Sequence, residues 1–214
     1  EVVWKKRNGA HHSIEIDDDG FIWAPRGGKT YHEPRFADVP VRIDRIAKID
    51  PATGEEVESI ELARVLLDAG LEGVVKGNRL RPDDVFHLND VEVLKKSVAP
   101  AFPMFAAGDI MISGRNTNEI MVLDGKTRQI KWWRAGPMHG QHDPDFQPNG
   151  EITLLDNRTA APASKKNNFM GGAGGSRIIA IDPATYGYRE LYASNARNAF
   201  YTDYRGKHQM LDNG

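Results

Sequence analysis

Apolar residues along this chain gather in strand-sized runs separated by turn chemistry. Phe21–Ala24, Ile46–Ile49, Ile120–Leu123, Glu151–Leu155 and Ile178–Ile181 are such runs. Runs of this length, bounded by Gly, Pro, Asn and Asp, predict β-strands. They also recur. Ile46-Ala-Lys-Ile-Asp-Pro-Ala-Thr-Gly-Glu-Glu-Val-Glu-Ser-Ile60 parallels Ile178-Ile-Ala-Ile-Asp-Pro-Ala-Thr-Tyr-Gly-Tyr-Arg-Glu-Leu-Tyr192, and Ile120-Met-Val-Leu-Asp-Gly-Lys-Thr-Arg-Gln-Ile-Lys-Trp-Trp133 lies between them. Each joins two β-rich runs through a turn on Asp-Pro or Asp-Gly with a Thr just after, which predicts a hairpin three times over.

Ahead of each hairpin a second pattern repeats: His12-Ser-Ile-Glu-Ile16, Asn89-Asp-Val-Glu-Val93 and His142-Asp-Pro-Asp-Phe146. Turn glycines follow the first and third at the same offset, Gly20 and Gly150, and another strand comes after each. One unit is therefore four strands, the composition of a propeller blade. The expected fold is all-β, a partial β-propeller spanning 1–214 with units starting near 11, 87, 141 and 207 and further blades outside this sequence. Asp50, Asp124 and Asp182 stand further apart than the ~40–50 residues of a compact blade, so the blades carry insertions. Leu62, Val65, Leu66 and Ala69 put a short helix in the first, and Thr159–Gly175 reads as a loop. Val2-Val3-Trp4 matches Lys131-Trp132-Trp133, the last strand of a preceding blade, and His208 onward begins another unit. A β-sandwich with irregular hairpins is the competing fold.

Charge narrows the function. With 28 Lys+Arg against 30 Asp+Glu and a net charge of -2, there is no basic face or run for nucleic acid or an anionic membrane. No segment reaches the ~18 apolar residues of a membrane span. The absence of Cys removes disulfides, Cys-ligated zinc and thiol catalysis. Asp17-Asp-Asp-Gly20 resembles part of a calcium loop but lacks the spacing and reads as a hairpin turn. Gly171-Gly-Ala-Gly-Gly175 lacks the Lys-Ser/Thr and helix of a phosphate loop. Trp132 and Trp133 are expected to pack between blades, with one open to a channel role.

In a propeller the first strand of each blade faces the central channel, so residues at equivalent places converge. Of the seven histidines, His11, His12, His87 and His142 lie at the three first-strand starts. On strand alternation His87 and Asn89 share a face, His12 and His142 occupy the register of Asn89, and His11 points away from His12. Such a cluster can act as nucleophile, proton donor and anion binder. It can also hold a divalent metal through His12, His87, His142 and Asp143. Arg115, after the second strand of the same unit, favours an anionic group such as sulfate or phosphate over a metal.

These residues resemble the arylsulfotransferase family, the PAPS-independent bacterial arylsulfate sulfotransferases and their relatives. The resemblance runs through His11-His12-Ser-Ile, His87-Leu-Asn89-Asp90, Ser113-Gly-Arg115-Asn, Trp132-Trp133-Arg-Ala-Gly, Gly140-Gln-His142-Asp-Pro-Asp-Phe-Gln-Pro-Asn-Gly150, Leu155-Asp-Asn157 and Gly206-Lys-His-Gln. It implies a six-bladed propeller that passes a sulfuryl group from an aryl sulfate to a phenol through a sulfohistidine, with no cofactor and in a periplasmic or secreted setting. By the same resemblance His142 is the nucleophile, while His87, Asn89 and Arg115 hold the sulfuryl oxygens and assist the leaving phenol, with His12 beside them. The competing functions are a non-catalytic binding scaffold and, behind it, a metal-dependent hydrolase.

Overall fold

The computed structural model describes residues 2–7, 9–77, 81–159 and 174–211. Twelve strands among them form three four-stranded antiparallel sheets, each a meander in chain order. The first holds β1 (Glu15–Ile16), β2 (Ile22–Tyr31), β3 (Val41–Ile49) and β4 (Glu56–Glu61). The second holds β5 (Leu88–Val93), β6 (Ile110–Gly114), β7 (Glu119–Leu123) and β8 (Ile130–Ala135). The third holds β9 (His142–Phe146), β10 (Ile152–Asp156), β11 (Arg177–Ile181) and β12 (Tyr188–Ala193). The three sheets stand side by side, with β5 lying against both β1 and β9. That arrangement belongs to successive blades, a propeller fragment, and replaces the sandwich alternative with its two facing sheets.

The three Asp-anchored hairpins form by one mechanism. Asp50, Asp124 and Asp182 each accept a backbone N–H two residues on through Oδ1, from Ala52, Lys126 and Ala184 at 2.7, 2.9 and 2.8 Å. Each also closes its turn with a bond from its own N–H to the carbonyl five residues later. A short carboxylate that mimics a backbone acceptor is why Asp recurs there. The Asp17 turn behaves similarly, its carboxylate taking Asp19 N, Phe21 N and the Trp23 indole N–H, as a hairpin turn rather than a calcium loop. Gly20 and Gly150 both sit at φ +85°, a region closed to most side chains.

Two hydrophobic wedges fill the spaces between sheets. Ile110, Ile112, Met121 and Leu123 join the first wedge, with Ile43, Ile46 and Phe86; Met111, Ile120 and Val122 join the second, with Trp132, Phe146 and Ile179. Alternate residues of β6 and β7 thus serve opposite wedges. The middle sheet is buried on both faces, which explains its unbroken apolar runs. α1 (Leu62–Ala69) covers the first wedge with Leu62, Ala63, Val65 and Leu66 and ends at Gly70, φ 69°. α2 (Gly73–Gly77) follows it. The proposed loop Thr159–Gly175 lies mostly outside the described residues.

Residues 2–7 form no strand, contrary to the expected outer strand at Val2-Val3-Trp4. Trp4 nevertheless keeps the repeat position: its indole N–H donates to Pro51 O at 2.7 Å, as that of Trp132 donates to Pro183 O at 3.0 Å. Each Trp caps the Asp-Pro turn of the next unit. Trp133 is 36% exposed on β8, an outer strand, so neither member of the Trp pair faces the channel. No strand forms over 202–211, where a further unit was expected to begin. Among the described residues no helix is long and apolar enough to cross a membrane.

Candidate active site

The starts of the three inner strands carry the cluster. His142 opens β9, Asn89 is the second residue of β5, and His12 lies just before β1. Hydrogen bonds tie these starts together: Asn89 Nδ2 donates to Gln141 O at 2.6 Å and Val91 N to Ser13 Oγ at 2.9 Å. A cavity of about 290 Å³ opens between them, lined by His12, Asn89, His142, Asp143, Arg205 and Lys207. A larger hollow of about 800 Å³ lies beside α1, between Arg64 and Asp68 on one side and Thr127–Ile130 on the other; no histidine lines it.

Backbone bends, rather than strand alternation, aim the other histidines. His12 and His87 sit at φ 63° and 49°, and β5–β6 pairing shifts register between Leu88 and Asp90. His87 and Asn89 are therefore not two same-face strand residues, because His87 precedes the strand in a left-handed bend. The same bend at His12 overturns the expectation for His11. His11 Nδ1 lies 2.7 Å from His12 Nδ1, and the ring centroids are 4.9 Å apart at 82°. The His12 and His87 rings meet edge to face at 4.8 Å. Partial burial and the charges of His87, His11 and His142 push the His12 imidazole down to about 4. It is neutral at neutral pH.

His142 is 5% exposed and fully engaged. Its Nδ1 faces Asn157 Oδ1 at 2.8 Å and Gly140 O at 3.1 Å, and its Nε2 accepts the Arg205 backbone N–H at 3.2 Å. Burial pushes it below the ordinary histidine range; the Asn157 and Gly140 bonds oppose this and the Arg115 charge adds to it. His87 Nδ1 lies 2.6 Å from Asp84 Oδ2.

Neither His87 nor Arg115 lines the cavity: His87 reaches it only through its ring contact with His12, and Arg115, after β6, stands close enough to act on His142 by charge. The Arg115 guanidinium donates to Asp203 O at 3.0 Å and Asn116 Oδ1 at 3.2 Å. Arg205 and Lys207 bring basic residues to the lining, and Asp90 and Asp143 bring carboxylates, with Lys207 paired to Asp143. Neither Arg205 nor Lys207 was singled out in the sequence, nor were Asp84 and Asn157. Asn157 was visible only as the end of Leu155-Asp-Asn157, and Asp84 only as an acid three residues before His87.

The metal reading finds a different geometry. His12, His87, His142 and Asp143 do not come within ligand distance of one another as a set; among the described residues Asp143, Asp145 and His208 do, with ligand atoms within 4.8 Å. That trio already has partners. The Lys207 ammonium holds Asp143 Oδ1, His208 N donates to Asp143 Oδ2 at 2.7 Å, and His208 Nε2 faces Thr153 Oγ1 at 2.8 Å.

A search of curated proteins finds no match to this chain. A family-level comparison does, over residues 5–214, under the description Arylsulfotransferase (ASST). That span takes in all three sheets, the histidine cluster and the segment that covers His142, so the chain belongs to the arylsulfotransferase family, a family of transferases.

Proposed function

We propose that this chain carries the sulfuryl-transfer site of a PAPS-independent arylsulfotransferase, with His142 as the nucleophile. The observation that supports it most is the convergence of His12, Asn89 and His142, from three inner-strand starts, on one cavity. His142 Nε2 attacks the sulfur of an aryl sulfate. An N–S bond forms as the aryl O–S bond breaks, its electron pair leaving with the phenolate oxygen, which takes a proton from His87. An acceptor phenol then gives its proton back to His87 and attacks the sulfur, releasing His142. The aryl sulfate is itself the donor, so the cycle calls for no cofactor.

Asn89 Nδ2 keeps one hydrogen beyond its bond to Gln141 O and is available to a sulfuryl oxygen. The Arg205 N–H that covers Nε2 yields to the incoming sulfur and is then placed to donate to a sulfuryl oxygen. Arg115 contributes its charge from behind the Asp203 carbonyl. As in phosphoryl transfer, a loose transition state leaves positioning and charge to supply most of the rate.

The full-length protein, given p-nitrophenyl sulfate and phenol, is expected to release p-nitrophenol and to carry an acid-labile N-sulfo group on His142. His142→Ala should abolish the adduct and lower kcat by about 10³-fold or more. Full activity in that variant overturns the reading.

A further inference from the structure

Two imidazoles of the cluster rest their Nδ1 atoms on side chains of opposite character. His142 Nδ1 meets the Asn157 amide, and His87 Nδ1 meets the Asp84 carboxylate. The surroundings fix how each partner faces. Asn157 is fully buried, and its Nδ2 donates to Thr202 O at 3.0 Å and Arg205 O at 2.8 Å. Turning the amide over would set an oxygen against two carbonyls, so Oδ1 can only be the atom that faces His142. An amide oxygen only accepts. His142 therefore carries its proton on Nδ1 and its lone pair on Nε2, at the cavity. Asp84 is braced in turn by Asn116, whose Nδ2 donates to Asp84 O at 2.7 Å and lies 3.4 Å from Asp84 Oδ2.

We propose that Asn157 and Asp84 are positioning residues that divide the labour between the two histidines: neutral Asn157 keeps His142 a neutral nucleophile, and anionic Asp84 keeps His87 a proton donor. This rests on the sulfuryl-transfer reading above. Two like groups acquire different tasks when their environments separate their protonation equilibria. The charge around each ring agrees with that separation. His142 is faced by the Arg115 cation and by His87 and His12, and its hydrogen-bonding partners among the described residues, Asn157 Oδ1, Gly140 O and the Arg205 N–H, are neutral. His87 is faced by His11, His12 and His142, but also by Asp84 and the buried Asp44. Burial works against ionised Asp84, yet the His87 hydrogen bond and charge and the Asn116 amide hold its carboxyl below the usual range. The Asp84 carboxylate, 2.6 Å from His87 Nδ1, is placed to stabilise positive charge on that ring.

The chemistry gives the two residues different signatures. On attack, His142 keeps Nδ1–H against Asn157 Oδ1 while positive charge builds on the ring. An anion there would stabilise protonated His142 and remove the free nucleophile. At His87, loss of the Asp84 charge weakens the acid, and that matters most when the departing phenolate is basic.

The test uses the full-length protein with ¹⁵N-labelled histidine. In the wild type, NMR should show His142 as the Nδ1–H tautomer and His87 with a hydrogen on the Nδ1 that faces Asp84. Asn157→Asp should raise the His142 midpoint by about one pH unit or more and carry the acid limb of kcat/KM upward with it. Asp84→Asn should slow transfer from phenyl sulfate about tenfold more than from p-nitrophenyl sulfate, whose leaving group needs little protonation. Asn157 also braces two carbonyls; if Asn157→Asp does not fold, Asp84→Asn at its more open site decides. An unmoved His142 midpoint in Asn157→Asp, or equal slowing of both donors in Asp84→Asn, overturns the proposal. The tautomer and midpoints read hydrogen bonding without turnover, so they separate a failure of this assignment from a failure of the sulfuryl-transfer reading, which His142→Ala tests.

Discussion

Gln141 shows how a residue beside the chemistry can hold it without taking part. It is fully buried, and its Nε2 donates to Ser113 Oγ, Gly114 O and Glu119 O, at 3.0, 3.1 and 3.0 Å. Its carbonyl takes the Asn89 amide. The side chain thus fastens the start of β9 to the β6–β7 turn, while the backbone carbonyl of the same residue holds Asn89 beside His142. Gln141→Ala removes the amide donor that Ser113 Oγ, Gly114 O and Glu119 O share but keeps the backbone carbonyl that holds Asn89, so it should cost about 1–3 kcal/mol by denaturant unfolding. The place of His12, Asn89 and His142 was legible because each holds the same offset in its unit. The place of His11 was not, since nothing local announces the left-handed φ at His12. Asp84, Asn157 and Arg205 were not legible either: their roles come from bonds to imidazoles and carbonyls on other loops, which leave no periodicity behind.

At the scale of elements, hairpins do more than join strands, because each Asp-Pro turn receives an indole from the preceding unit. Trp132 is 2% exposed, donates to Pro183 O and stacks on Tyr186 with centroids 5.5 Å apart at 24°. Trp132→Phe keeps most of the apolar body and orphans the Pro183 carbonyl, so it should cost about 1–3 kcal/mol. Trp132→Ala also opens a cavity and should cost about 3–5 kcal/mol. Denaturant melts of the two variants separate the hydrogen bond from the packing. The turns themselves could be read in the sequence, since the Asp carboxylate bonds residues two ahead. That Trp4 and Trp132 cap the following turn could not, because the contact crosses between sheets. The helix over Leu62–Ala69 was legible from its apolar face alone, and its Gly70 stop adopts the left-handed cap that glycine favours.

Over the whole molecule, the repetition that builds the sheets also repeats a charge. The third residue after His12, Asn89 and His142 is Glu15, Glu92 and Asp145, so inner strands packed side by side bring three acids to one region, with Asp90 and Asp143 beside them. The sheets answer in part: Lys95 pairs with Glu15, Lys207 with Asp143, and Phe146 N donates to Glu92 Oε2 at 2.9 Å. Burial still pushes Glu92 and Asp90 well up, and burial together with the Asp143 charge raises Asp145 to about 6. A carboxyl whose folded value is raised binds its proton more tightly in the native state. Its contribution to stability is therefore present below about 4 and is lost as pH rises from about 4 to about 6. Asp145→Asn removes that loss. In the full-length protein the variant should match the wild type in unfolding free energy at pH 4 and exceed it at pH 7.5 by at most about 3 kcal/mol, and less with solvent screening, as read by denaturant unfolding. A variant less stable than the wild type at pH 7.5 would show instead that the Asp145 charge is needed there, held by the His208 and Lys207 charges.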